Sequence, residues 1–297
     1  MWNRRPDGTL VTDAAPYRQA MPLIMPGRNE AAVYFDLEVD LARTQPFLDD
    51  WNRAHPEARA TLFHLVLWAA GRVLQARPEL NRFVAGGRLW QRDGVWFSFA
   101  AKERLDDGAP LKTLKRRVDG LSFAEVVTGV RGDVRAERSG RESSTERELR
   151  LLVKLPVFLR RIFYSLFRWL DALGLAPRGF IDGDPLYTSM FVANLGSLKM
   201  SPCYHHLYEH GTGSLFCVVG RAHEGKATLR FTMDERVTDG LYAHRSLELL
   251  RGLLEDPAAT LGQPAVATVG ALGADGDGAG SWRQDHRPAS GTTAPGA

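Results

Sequence analysis

The chain has 297 residues, of which 44% are hydrophobic and 25% are charged, a composition typical of a globular protein. Its net charge of +3 is too small to argue for nucleic-acid binding, so we expect no nucleic acid among its partners. No apolar segment of the kind that a secretory signal needs follows residues 1–6, and we therefore expect a cytoplasmic protein.

The N-terminal half is predicted to be an arm followed by strands and helices. Residues 1–30 are rich in Pro, Arg and Gly, and the prolines predict an extended arm because each removes a backbone donor. Residues 31–257 are predicted to form one folded domain. The patterns predict a strand at 33–39, helices at 42–54 and 60–76, a hairpin pairing 87–90 with 95–99 around Arg92-Asp93-Gly94, a weaker helix at 121–138 and a loop at 139–144.

The most apolar segment, residues 150–175, is predicted to be an amphipathic helical insertion. A membrane span needs roughly 20 nearly uncharged residues. This segment is instead interrupted at helical spacing by Lys154, Arg160, Arg161, Arg168 and Asp171. Three interpretations remain open: a helix packed on the domain or on a neighbouring subunit, a basic helix lying on a membrane surface, or a lid over a substrate channel.

Two short sequences that follow predicted strands are candidates for a functional site. A strand at 187–193 leads into Asn194-Leu195-Gly196-Ser197, and a buried strand is predicted at 215–220 after a His-rich loop. A strand at 227–234 ends in Asp234-Glu235-Arg236-Val237-Thr238-Asp239-Gly240, and a helix follows to residue 254. From residue 262 onward the chain has almost no large apolar groups, which predicts a disordered tail.

These sequences, with Pro78-Glu79-Leu80-Asn81, resemble the catalytic domain of the dihydrolipoamide acyltransferases of 2-oxo acid dehydrogenase complexes. The resemblance covers about residues 20–257 and implies the chloramphenicol acetyltransferase-like fold. This is an α/β two-layer sandwich in which helices cover a mixed sheet. The lipoyl and subunit-binding domains of the family have no counterpart here, so we expect a free-standing domain. Asp285-His286-Arg287 in the tail is no second motif, since no Asp-Gly follows it.

In that family the longer motif reads Asp-His-Arg-x-x-Asp-Gly, and its His is the general base. A Ser or Thr hydroxyl in the strand that enters Asn-Leu-Gly stabilises the oxyanion, and the motif's Asp is largely structural. Here Glu235 occupies the base position and Ala193 the hydroxyl position. The motif and channel positions that match the family are Asp234, Arg236, Val237, Asp239, Gly240, Asn194, Leu195 and Gly196. The resemblance thus implies Glu235 and Asp239 as candidate catalytic residues.

The two departures favour lost or strongly reduced transferase activity. Acyl transfer from a thioester needs a base with a pKa near the working pH and a hydrogen-bond donor at the developing oxyanion. Glu235 can act as a base only if burial raises its pKa well above the usual range, and an alanine donates no hydrogen bond. Loss of one oxyanion donor alone costs roughly 10²–10³ in rate. Ser197 is expected on a turn beyond the strand.

The histidines are weaker candidates for a site. On a strand, His205 and His206 would point to opposite faces, so we favour solvent-facing or aromatic-packed rings for them and for His210. A zinc site with Glu209, or a contribution to a rebuilt acyl-transfer site, remains an alternative. His64 is predicted to be a satisfied core residue and His244 to lie on a helix surface.

Cysteines and basic residues give two further expectations. Cys203 and Cys217 lack Cys-x-x-Cys spacing and are predicted to be buried, reduced thiols. The basic run could meet the phosphates of coenzyme A, but a solvated face is the favoured interpretation. Its members are Lys112, Lys115, Arg116 and Arg117.

Three functions are open. The leading one is an acyltransferase-fold protein that has lost its activity and acts by assembly or ligand binding. The second is an active acyltransferase that uses Glu235 as its base, with coenzyme A or an acyl-CoA as substrate. The third is a membrane-surface or partner-docking scaffold that uses residues 150–175. The family assembles as trimers with the active site in a channel between subunits, which implies a homotrimer here.

Overall fold

The computed structural model describes residues 4–102, 111–138 and 153–264 of the chain. The strands are β1 (Arg4–Arg5), β2 (Gly8–Leu10), β3 (Ala32–Asp40), β4 (Arg82–Ala85), β5 (Arg88–Arg92), β6 (Trp96–Lys102), β7 (Leu111–Arg117), β8 (Met190–Asn194), β9 (Leu215–His223) and β10 (Lys226–Asp234). The helices are α1 (Pro16–Ile24), α2 (Thr44–Ala54), α3 (Leu62–Ala76), α4 (Phe123–Arg138), α5 (Val157–Ala172), α6 (Arg178–Gly183), α7 (Gly240–Glu255) and α8 (Pro257–Leu261). The predicted loop at 139–144 and almost all of the predicted tail lie outside these residues.

A mixed six-stranded sheet forms the centre of the fold. Its strands lie in the order β3-β10-β9-β8-β6-β7, with β8 parallel to both β6 and β9 and the other pairs antiparallel. Alternate residues of β10, among them Leu229 and Met233, are buried toward α2, α3, α4 and α7. Because the sheet buries one face against these helices, the predicted α/β two-layer sandwich is confirmed.

The opposite face of the sheet carries a smaller aromatic cluster. Phe191 of β8 stacks on Phe216 of β9, with 5.0 Å between the ring centroids. The irregular segment between β8 and β9 covers these rings with Leu207 and Tyr208. Ala193 lies on this same face, because the alternation of β8 places it beside Phe191.

The predicted hairpin between residues 87–90 and 95–99 is wrong. Strand β5 pairs instead with β4 and β2 in a separate four-stranded sheet, whereas β6 pairs with β7 and β8 in the large sheet. Gly86 and Gly87 form the actual hairpin turn, with φ angles of 57° and 70°. A two-residue turn with positive φ at both positions favours Gly-Gly, so this pair was a stronger hairpin signal than Arg92-Asp93-Gly94.

The prediction of an extended N-terminal arm is also wrong, because residues 16–24 form helix α1. Pro16 occupies the first turn, where its missing N–H costs no intrahelical bond. Pro22 lies near the C-terminal end and removes one bond of a short helix. Two prolines at tolerated positions therefore do not prevent a helix.

Within the predicted segment 150–175, residues 157–172 form helix α5, which begins after Pro156. None of its sixteen residues is buried. Its C-terminal end lies against the β4–β5 turn, since a Cβ at Gly86 would collide with the Ala172 carbonyl oxygen. Within the described ranges, no helix is both long enough and apolar enough to cross a membrane.

The predictions of buried side chains are confirmed for His64 and Cys217 and wrong for Cys203. His64 is buried, its Nδ1 accepts from the Thr61 backbone N–H at 3.2 Å, and burial lowers its pKa to about 4, so it is a satisfied core residue as predicted. Cys217 is buried, but Cys203 is exposed, so the prediction that both thiols are buried is wrong for Cys203. Pro202 and Cys203 lie outside β9, on an irregular segment that crosses the sheet.

Candidate functional site

A buried ion pair between Asp234, the last residue of β10, and Arg236 holds the loop that follows this strand. Arg236 Nε and Nη2 donate to the two carboxylate oxygens of Asp234 at 2.8 and 2.7 Å. Nη1 of the same arginine donates to the carbonyls of Met25 and Pro26 at 2.9 and 3.0 Å. Both partners of the pair are almost completely buried. These contacts join the loop to the segment that follows α1.

Glu235 is fixed through its backbone, whereas its carboxylate has no hydrogen-bond partner among the described residues. Its N–H donates to the Ala31 carbonyl at 2.8 Å, and its own carbonyl accepts from Arg18 Nη1 at 2.5 Å. The side chain is half-buried, and its carboxylate forms no hydrogen bond with the residues that the structure describes. Glu235 is therefore oriented through its backbone, and no described residue binds its carboxylate.

Asp239 and Gly240 begin helix α7. The Asp239 carboxylate accepts a hydrogen bond from the Tyr242 N–H at 2.8 Å, which makes it the N-cap of the helix. The preceding Thr238 donates to Glu79 of the Pro-Glu-Leu-Asn sequence at 2.7 Å, so two of the predicted motifs do meet. A Cβ at Gly240 would contact no atom within 4 Å of the described chain. These residues shape the start of α7.

The second motif ends strand β8 with a tight turn. Asn194 Oδ1 accepts from the Ser197 N–H at 3.2 Å, and Ser197 Oγ donates back to the Asn194 carbonyl at 2.8 Å. Gly196 lies so close to β9 that a Cβ would approach the Gly220 carbonyl oxygen to 2.7 Å. Ser197 lies on the turn as predicted, and its hydroxyl is already used within that turn.

One chain does not bring the two motifs together. Ala193 lies level with Val218, and Val218 lies level with Arg230 of β10, which precedes Glu235 by five residues. With about 3.3 Å per residue along a strand and about 4.8 Å between strands, Ala193 and Glu235 are roughly 15–20 Å apart. No single side chain spans that distance.

The histidines of the 205–210 segment have separate environments. The His205 ring stacks on Phe216 with 4.0 Å between centroids, and burial lowers its pKa, as predicted for an aromatic-packed histidine. The segment is irregular, so His205 and His206 do not point to opposite faces as they would on a strand; their rings stack at 4.4 Å. His210 Nε2 lies 2.7 Å from Asp184 Oδ2. The described part of the chain contains no cluster of three or more His, Cys, Asp or Glu that could hold a metal ion.

Three basic side chains of β7, those of Lys115, Arg116 and Arg117, form hydrogen bonds with other residues of the chain. Arg116 donates to both carboxylate oxygens of Asp133 at 2.6 and 2.7 Å, and Arg117 does the same with Asp119 at 2.8 Å. Lys115 Nζ donates to the Ile181 carbonyl at 2.7 Å, and burial lowers its pKa to about 8. The prediction of a solvated face is therefore wrong for Lys115.

A polar cleft of about 280 Å³ lies beside the motif loop, and the sequence did not indicate it. It is bounded by Arg236, the segment before β3, the β4–β5 turn, the C-terminal half of α5 and the loop at 209–211. Its charged and titratable lining residues are Arg28, Arg168, Asp171, Tyr187, Glu209, His210 and Arg236. Arg28 follows Pro26-Gly27 in an ordinary loop sequence, and no local pattern distinguishes it from a surface arginine.

The contacts of His210 show how aromatic residues shape one wall of this cleft. Its ring centroid lies 5.5 Å from that of Tyr164, 5.9 Å from Phe167 and 5.8 Å from Tyr187. Two of these rings belong to α5, so the insertion helix and the 209–211 loop pack on each other here. Asp184 orients the imidazole by its contact with Nε2.

The fold resembles solved acyltransferase cores. No model of a known protein family and no curated protein matches the sequence. A probable dihydrolipoamide acetyltransferase from Listeria monocytogenes 4b F2365 is 16% identical, with 82% of this chain and 94% of that chain covered and a TM-score of 0.53. The cubic core of a pyruvate dehydrogenase multienzyme complex is also 16% identical, with 84% and 93% covered and a TM-score of 0.53.

A truncated catalytic core of the 2-oxoacid dehydrogenase multienzyme complex from Thermoplasma acidophilum is similar to the same extent. It is 16% identical, with 83% of this chain and 98% of that chain covered and a TM-score of 0.51. The chain thus has the chloramphenicol acetyltransferase-like acyltransferase fold over most of its length. Likeness at this level of identity establishes the fold alone.

Proposed function

We propose that this chain is an acyltransferase-fold protein with lost or strongly reduced transferase activity, which acts by assembly and ligand binding. The observation that carries this proposal is the absence of an oxyanion donor at Ala193. The nearby Ser197 hydroxyl donates to the Asn194 carbonyl and is not free to replace it. Asp234 and Asp239 are likewise engaged, by Arg236 and by the start of α7, so neither supports Glu235 as a base.

We also propose that the protein assembles as a homotrimer. The separation of roughly 15–20 Å between Ala193 and Glu235 in one chain is compatible with a site that takes one position from each of two subunits. The unpaired cysteines are compatible with a reducing compartment, and we propose a cytoplasmic location.

The first test of the proposed function is thiol release from acyl-CoAs. With acetyl-CoA and longer acyl-CoAs, and with small thiol, amine and hydroxyl acceptors, we expect no rate above the uncatalysed background. The physical reason is that a lost oxyanion donor costs roughly 10²–10³ and a lost imidazole base a further 10²–10⁴.

Glu235→Gln is the matched variant for this test. It removes the candidate base without changing the size of the side chain, and we expect it to behave as the wild type does. Turnover by the wild type that Glu235→Gln abolishes would overturn the proposal and establish the alternative, an active acyl-CoA-dependent transferase. That alternative is favoured by one observation, the carboxylate of Glu235 that no described residue binds.

We propose a second role for α5, docking on an anionic membrane surface. Phe158, Ile162 and Trp169 recur at four- and seven-residue intervals and so share one face of the helix. These side chains are 62%, 58% and 59% exposed, and Leu166 beside them is 50% exposed. Large apolar side chains that share an exposed helix face mark an interaction surface.

The charges of α5 favour anionic lipid over a second copy of the helix. Arg161 and Arg168 of the helix and Lys154, three residues before it, are exposed, and Arg160 is partly exposed. The acidic residue of the helix, Asp171, is paired with Arg5 at 2.6 Å. Two copies of α5 packed face to face would bring like charges together, whereas an anionic bilayer complements them and accepts the apolar side chains.

Co-sedimentation with lipid vesicles tests this second role. We expect the wild type to bind vesicles containing phosphatidylserine and not vesicles of phosphatidylcholine alone. Replacing Lys154, Arg160 and Arg161 with glutamine should weaken binding by about 10-fold or more, because each basic residue near the surface contributes about 1 kcal/mol. The same change at Arg43, Arg53 and Arg72, on the α2–α3 side of the protein, is the control. Equal binding by the two triple variants would exclude α5 as the docking surface.

A further inference from the structure

We propose that the polar cleft beside the motif loop binds a small ligand that carries a carboxylate or phosphate group. This inference gives a ligand class to the ligand binding in the proposed function and rests on it in that respect. The volume of about 280 Å³ admits a small molecule. Six separate parts of the chain line it, so it is a built cleft and not a gap within one loop.

Arg28 supplies a buried positive charge that is not neutralised by a directly bound carboxylate. Its side chain is buried, and burial lowers its pKa. Its Nη atoms donate to four carbonyls, those of Tyr208, Glu209, Val84 and Gly211, at 2.7–3.2 Å. Its Nε is buried and has no hydrogen-bond partner among the described residues. The carboxylates of Asp234 and Glu209 stabilise this charge from nearby, but its hydrogen bonds go only to carbonyl groups. Burying a cation in this way is costly, and an anion in the adjoining cleft would offset that cost.

The carboxylates that line the cleft are already occupied. Asp171 Oδ1 accepts from Arg5 Nη2 at 2.6 Å. Glu209 accepts from the Asn29 side chain at 2.9 Å and from the backbone N–H groups of Arg28 and Asn29 at 3.2 and 3.1 Å. Burial would raise the pKa of Glu209, but these donors hold it below its ordinary value. The acidic groups therefore face their own partners, and the cationic donors remain for a ligand.

Arg168 and His210 complete the set of groups that can meet an anion. Arg168 is exposed on α5 at the cleft, and its guanidinium lies 6.0 Å from the ring centroid of Tyr164. His210 is held by Asp184 through Nε2, which leaves Nδ1 for another partner. A planar guanidinium binds carboxylate and phosphate oxygens in pairs, which makes these two groups the preferred ligand chemistry.

Isothermal titration of the full chain tests the proposal. The probes are inorganic phosphate, pyrophosphate, acetate and succinate, and acetamide and succinamide are their neutral counterparts. We expect saturable binding of at least one anion, with one site per chain, and none of the neutral amides. Comparing the two phosphate probes with the two carboxylate probes shows which of these groups the cleft binds.

Arg168→Gln is the test variant, because Arg168 is exposed and its loss should leave the fold intact. We expect it to weaken binding by about 10-fold or more, as loss of a charge-assisted hydrogen bond does. Arg72→Gln removes the same charge from an exposed site on α3 and should leave the affinity unchanged. No saturable heat with any anion, or equal weakening by both variants, would overturn the proposal. Thiol release is measured independently, so catalysis in that assay would refute the proposed function and leave this result standing.

Discussion

Arg236→Ala is expected to lower the free energy of unfolding by about 3–5 kcal/mol, the usual cost of removing one partner of a buried ion pair. The substitution leaves the Asp234 carboxylate buried without its two guanidinium bonds. It also frees the carbonyls of Met25 and Pro26, which fix the segment between α1 and β3. Urea unfolding followed by circular dichroism measures the change.

Two further variants separate the ion pair from a general loss of packing. Lys226, also on β10, pairs with Glu38 of β3, but both side chains are exposed. We therefore expect Lys226→Ala to cause almost no change in the unfolding midpoint. The double variant Asp234→Ala/Arg236→Ala should be less destabilised than the sum of its two single variants, because it leaves no unpaired buried charge. Additive effects would show that the pair is not coupled.

Local patterns were sufficient to predict the central part of the fold. Alternation along 227–234 predicts β10, and the apolar period after Gly240 predicts α7, because each depends only on which face of the element is buried. Asp239 directly precedes a segment whose apolar residues recur at helical spacing, which agrees with its observed role as the N-cap of α7. The mixed sheet itself was implied by the resemblance and not by any one of these patterns.

The elements that were predicted wrongly depend on contacts distant in sequence. Helix α1 forms although Pro22 lies inside it, and Arg18 of that helix reaches the carbonyl of Glu235. Strand β5 lies in the small sheet because β2, from the N-terminal segment, pairs with it. Patterns within a short stretch of sequence carry no signal for the contact of Arg18 with Glu235 or for the pairing of β2 with β5.

The cleft was missed for the same reason. Arg28, the β4–β5 turn, Arg168 and His210 are far apart in the sequence and meet only because α5 folds back against the loop at 209–211. The sequence motifs identify Glu235 and Ala193, but they do not predict that the two residues lie roughly 15–20 Å apart in one chain. The motif positions could therefore be identified from the sequence, whereas the distance between them could not.

Restoring the family's two reacting groups is expected to produce the largest gain in activity. The double variant Glu235→His/Ala193→Ser supplies an imidazole base and a hydroxyl donor, which typically contribute 10²–10⁴ and about 10²–10³ respectively. We expect thiol release from acetyl-CoA to rise at least about 10²-fold above the wild type. Each single variant should gain much less, because both groups act in one transition state.

Mixing the two single variants then tests where the site lies. If Glu235 and Ala193 come from neighbouring subunits, trimers refolded from Glu235→His and Ala193→Ser chains contain interfaces with both groups, and activity should appear in the mixture. If the mixture is inactive while the double variant is active, the two positions act within one chain, which their separation of roughly 15–20 Å opposes. An inactive double variant that is folded and trimeric would mean that the channel no longer admits both substrates. The loss of activity would then lie in the shape of the channel as well as in its two reacting groups.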